Sequence, residues 1–168
     1  MSHPQPIYGP QTLLSDLTTP EILLAVTLRL FALPWREPGD DHPDWREGLR
    51  TGNLPLWTAT MFESFLHIII LATRRPLDVR CPACPQLGYD EGRLLQIVSL
   101  LQHRRHEEAG AVLQSWLPAA ACRAALSPAE GLARGLGLAG LVIPPRPAIV
   151  PLLPAHQLRI NPGLARLQ

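Results

Sequence analysis

The chain contains no lysine; all 15 of its basic residues are arginine. That absence excludes a Schiff-base lysine, a phosphate-cradling P-loop lysine and any modification of a lysine amine. Charge of either sign is also scarce. The basic residues face 14 acidic ones, for a formal net charge of +1. Nucleic-acid binding draws most of its affinity from a positive excess set against phosphates. The only basic doublets here are Arg74-Arg75 and Arg104-Arg105, so nucleic acid is disfavoured. Cysteine is limited to Cys81, Cys84 and Cys122, an odd and small number that argues against a disulfide-built scaffold. The opening residues, Met1 to Pro6, lack the basic and apolar stretches of a secretory signal. The expectation is therefore a protein of the reducing cytoplasm. A Gly-x-Ser-x-Gly elbow is missing, and so is a glycine loop that comes after a strand and opens a helix.

What remains is an apolar chain. Hydrophobic residues make up 46% of the 168 positions and charged residues 17%, a balance that folds into one domain around one core. Abundant Ala, Leu, Gly, Pro and Arg fit a GC-rich bacterial genome.

Residues 1–17, broken by Pro4, Pro6, Gly9 and Pro10, read as an irregular arm. Thr19-Pro20-Glu21 then signals a helix start, with a threonine cap, an early proline and a carboxylate in the first turn. This helix is expected to stop before Pro34. A polar stretch, 34–55, holds Trp35 and Trp45 and one short helix capped by Asp44. Residues 55–74 predict a second long helix, the most apolar of the chain. It approaches membrane-spanning length, but Glu63 and His67 at its centre make a core helix the better reading. Asp90 is expected to cap a third helix reaching about Arg104. Ala109, Val112, Leu113, Trp116 and Leu117 mark a fourth at helical spacing. Pro118 and Ser127-Pro128-Ala129-Glu130 signal two further helices, about 119–126 and 129–138.

From Leu141 the prolines at 144, 145, 147, 151, 154 and 162 forbid a regular helix, while apolar residues continue. The expected architecture is all-α. Five to seven helices pack around a central apolar helix in residues 18–140, with an extended proline-rich segment, 141–168, after them.

Several groups are candidates for chemistry. Cys81-Pro82-Ala83-Cys84 has the spacing at which two thiolates chelate one metal, and His103 and His106 supply two further ligands for zinc or iron. The same pair also admits a redox reading or two quiet thiols. Gln96, Ser99, His103 and His106 share one helical stripe, which reads as a solvated face. Glu63 and His67, one turn apart on the apolar helix, are the candidate general acid and base. A helix–turn–helix reader in 106–140 is the poorest option, because its last helix carries one Arg and three Gly. Trp35, Trp45, Ile149, Leu152 and Leu153 are candidate partner anchors, with core-pinning the alternative role for the tryptophans. The favoured expectation is a non-catalytic helical protein that binds another protein or itself. A metal-binding helical protein is second, and a Glu63/His67 enzyme third.

Overall fold

The computed structural model describes Tyr8, Gly9 and residues 11–39 and 41–147. Those residues form six α-helices and no strand: α1 Thr19–Arg36, α2 Arg46–Thr51, α3 Trp57–Ala72, α4 Tyr89–Gln102, α5 His106–Gln114 and α6 Ala119–Leu138. The all-α expectation holds. No helix among the described residues is long and apolar enough to cross a membrane.

The deepest helix is α4. Every residue from Leu94 to Leu101 is buried, Gln96 and Ser99 included. The solvated face expected for that stripe is thus corrected. Gln96 and Ser99 lie inside because residues 141–147 run across them as an extended strap. The Ser99 hydroxyl sits 3.2 Å and 3.0 Å from the carbonyls of Ile143 and Pro144. The Gln102 amide donates to the Leu141 carbonyl at 2.9 Å and accepts from the Ile143 N–H at 2.8 Å. Ile143, within the strap, is fully buried. A proline-rich segment has no ladder of its own, so side chains from α4 satisfy its backbone.

α3 is more exposed than its composition implies. One face packs against α6, where Gly131 and Gly135 let the helices approach closely. A Cβ at Gly135 would stand 2.2 Å from the Thr58 hydroxyl. The other face leaves Leu71 85% exposed and Trp57 40% exposed.

Several helix boundaries differ from the sequence reading: α1 is capped by Thr18 and not Thr19, α2 by Trp45 and not Asp44, and α5 ends at Gln114, before Trp116 and Leu117. α1 continues through Pro34 to Arg36. Its last turn is held by side-chain contacts, because the Trp35 ring lies tilted against Phe31 with centroids 5.0 Å apart and the Arg36 guanidinium donates to the Val79 carbonyl at 2.7 Å. α6 continues through Ser127-Pro128 as one helix. Its buried stripe of Ala125, Ala129, Leu132 and Leu136 is unbroken. The carbonyl that Pro128 leaves unbonded belongs to Ala124, which is exposed to water. α4 is capped by Gly88, not Asp90. The Glu91 carboxylate accepts the Gly88 N–H at 2.6 Å. Gly88 is required there, since a Cβ would lie 2.3 Å from the Asp78 carbonyl oxygen.

The connector 73–88 joins α3 to α4 and is tied to the N-terminal arm. Leu13 and Gln86 form an isolated antiparallel bridge, with Leu14 N–H on the Pro85 carbonyl and Leu87 N–H on the Thr12 carbonyl, both at 2.8 Å.

Candidate functional site

α1 contributes to two features: a buried set of charges and an open apolar groove.

The charges are Glu21 and Arg29, eight residues apart on the face turned to the core. Arg29 is wholly buried and holds Glu91 of α4 with both forks of its guanidinium, Nε to Oε1 at 2.8 Å and Nη2 to Oε2 at 3.0 Å. Two further N–H groups reach the carbonyls of Cys84 at 2.6 Å and Gln86 at 2.7 Å. Glu91 also accepts the Arg80 N–H at 2.9 Å. Each charge therefore has several hydrogen-bond partners, the condition under which a buried ion pair is tolerated. Toward the start of α1, Glu21 accepts from Arg146 of the strap at 2.5 and 2.6 Å, from the Tyr8 hydroxyl at 2.5 Å, and from Thr18. Burial alone would raise the Glu21 carboxyl; the hydrogen bonds from Arg146, Tyr8 and Thr18 outweigh it and hold the group below the usual range. Burial and the adjacent carboxylate push the Tyr8 phenol far up. A third pair, Arg75 with the buried Asp90 at 2.7 and 2.8 Å, clips the connector to the start of α4. The Arg29–Glu91 pair lies sealed in the core, and its chemistry is structural.

The groove lies between the second half of α1, the end of α3 and the connector. It encloses about 510 Å³, a volume within the usual range of ligand sites. Leu28, Phe31 and Leu66 form its floor; Trp35, Ile70, Leu77 and Val79 form its walls. Trp35 is 58% exposed. Arg36 and Arg75 stand on the rim, and no carboxylate lines the groove among the described residues.

Of the residues expected to act, Trp35 is part of the groove wall. Trp45 is buried against Phe31 and Phe62, with ring centroids at 5.3 and 5.2 Å, so it pins its loop to the core and offers no anchor to a partner. Ile149, Leu152 and Leu153 lie outside the described residues. Glu63 and His67 are not paired with each other. Glu63 accepts from Arg46 at 3.0 Å, and His67 is an exposed ring beside Phe31. Cys81 and Cys84 are joined to each other as a disulfide. His103 bonds the Ser99 carbonyl, and His106 lies 3.3 Å from Glu130, so the four expected ligands are not gathered. Among the described residues no three His, Cys, Asp or Glu side chains are placed to hold a metal ion.

Sequence reasoning missed Arg29, Glu91, Glu21 and Arg146. One signal existed: Arg29 occupies an apolar-stripe position of α1, four residues after Ala25 and seven after Ile22. A charge there is either a helix break or a buried partner in waiting.

No protein-family model matches this chain, and no curated protein or solved structure is similar to it. Function must be argued from the site.

Proposed function

We propose that this protein is a non-catalytic docking subunit whose α1–α3 groove receives an apolar segment of another protein flanked by acidic residues. The observation that carries the reading is the groove itself, an apolar trough walled by the exposed Trp35 and rimmed by arginine. Aromatic and arginine side chains at the edge of a desolvated pocket are the residues that dominate protein recognition. The rim charge selects the partner's chemistry. Arg36 meets a carbonyl and Arg74 is exposed in the adjoining turn, while Arg75, the other rim arginine, is already paired with Asp90. The chain's own residues 148–168 are a poorer match, since they carry Arg159 and Arg166 and no acidic residue.

The test is selection of random displayed peptides against the full chain. Enriched sequences should combine aromatic or leucine residues with Asp or Glu. They should lose binding to Ile70→Asp, which places a like charge in the groove wall. They should keep binding to Val142→Asp, an exposed position outside it. No enrichment, or equal binding to the Ile70→Asp variant, would falsify the reading.

A further inference from the structure

The connector that walls the groove also carries the only cysteine pair of the chain. We propose that Cys81–Cys84 is a reversible thiol–disulfide site that controls the groove by setting the stiffness of this wall; the effect on binding rests on the docking reading above.

The connector is anchored around the cysteine pair. Upstream of the pair, the Asp78 N–H is fixed on Asp90 at 2.6 Å, the Val79 carbonyl on Arg36 at 2.7 Å, and the Arg80 N–H on Glu91 at 2.9 Å. Downstream, the Cys84 and Gln86 carbonyls are fixed on Arg29. Between these anchors the turn has two internal ties, the Cys84 N–H on the Cys81 carbonyl at 3.0 Å and the disulfide. Cutting the sulfur bond leaves one neutral hydrogen bond to close the turn. Val79, two residues before Cys81, is a groove-wall residue. The disulfide and the wall therefore belong to one short stretch of backbone.

The site is reachable. Both cysteines are half-buried, and Pro82, Ala83 and Pro85 around them are exposed. Cys122 differs: it is single, its thiol donates to the Leu117 carbonyl, and burial raises its pKa. In a reducing compartment an accessible pair of this kind is transient and responsive to redox poise. The exchange balances with glutathione. One glutathione thiolate attacks a sulfur of the Cys81–Cys84 bond, giving a mixed disulfide and one free cysteine thiolate. A second glutathione thiolate attacks the mixed disulfide and leaves as glutathione disulfide. Two electrons and two protons end on Cys81 and Cys84, and the reverse reaction returns them to glutathione disulfide.

The experiment equilibrates the full chain in glutathione buffers of varied ratio. Alkylation should count one free thiol in the oxidised chain and three in the reduced chain, given the three cysteines. Hydrogen exchange at the amides of residues 77–80 should quicken about tenfold on reduction, as local opening becomes easier. A Cys81→Ser, Cys84→Ser double variant should stay in the fast state in every buffer. Thiols that remain free in fully oxidising glutathione, or exchange that ignores the buffer, would overturn the proposal. The same samples are titrated with 8-anilino-1-naphthalenesulfonate, an apolar ring system bearing one negative charge. Weaker dye binding in the reduced chain is expected. Dye binding that Ile70→Asp abolishes but reduction leaves unchanged sinks the control of the groove and spares the docking reading. Dye binding indifferent to Ile70→Asp sinks the docking reading, while the exchange data still judge the thiol site.

Discussion

α1 joins a buried charge network to one edge of an open apolar groove. It buries Glu21 and Arg29 beside Leu24 and Ala25, and it exposes Trp35 above a trough floored by Leu28 and Phe31. Both regions use the same companion, the connector 73–88, whose backbone carbonyls bond Arg29 and whose Leu77 and Val79 wall the groove. The difference between them is partnership. The buried arginine makes four hydrogen bonds inside the fold, so the network holds the molecule together. The apolar surface of the groove has no such complement, so the groove is the region available to another molecule.

Substitutions should separate the two regions by size and by kind of effect. The largest effect is expected in the charge network. Glu91→Ala leaves Arg29 charged and buried without its carboxylate, and should cost about 3–5 kcal/mol in urea unfolding. An Arg29→Met, Glu91→Leu double variant should recover most of that loss; a double variant as unstable as the single would show that the carbonyl contacts of Arg29, not the ion pair, dominate. Next is Glu21→Gln, which removes charge-assisted bonds to Arg146 and Tyr8 and should cost about 2 kcal/mol near neutral pH.

Its pH dependence is set by the direction of the shift. The folded Glu21 carboxyl lies below its unfolded value, so its stabilisation is present above the unfolded pKa and is lost as pH falls through the folded one. Unfolding midpoints measured from neutral pH down to strongly acidic pH should therefore fall less steeply in Glu21→Gln than in the parent. Parallel curves would mean that Glu21 does not contribute to the acid response.

The smallest structural effect belongs to the groove. Trp35→Ala removes one ring contact with Phe31 and should change stability by about 1 kcal/mol or less, while peptide binding in the groove is lost. A large destabilisation would instead make Trp35 part of the core and dissolve the contrast between the two regions.

Much of the fold was legible in the chain. Helical spacing and start signals located α1, α3, α4 and α5 to within a few residues, while α6, the longest helix, read as two shorter ones. The errors cluster at prolines and at polar residues. Pro34 and Pro128 read as stops because proline has no N–H to donate, yet a ring contact, an arginine on a distant carbonyl and a continuous buried stripe outweighed that loss. Gln96 and Ser99 read as solvated because nothing local reveals that a strap forty residues later will cover them. The candidate site was legible only in Trp35. The cysteine pair was seen as a metal chelate, a redox pair or quiet thiols, and the structure closes it as a disulfide.

Periodicity, composition and caps thus determined an all-helical fold whose helices end before Leu141, because a helix closes its hydrogen bonds within a few residues and leaves its signature locally. The tertiary structure alone decided which charges went inside, which apolar residues stayed out and what the connector joins. A buried ion pair such as Arg29 with Glu91 spans sixty-two positions of chain, and a groove exists only where separate segments meet, so neither leaves a local trace in the order of residues.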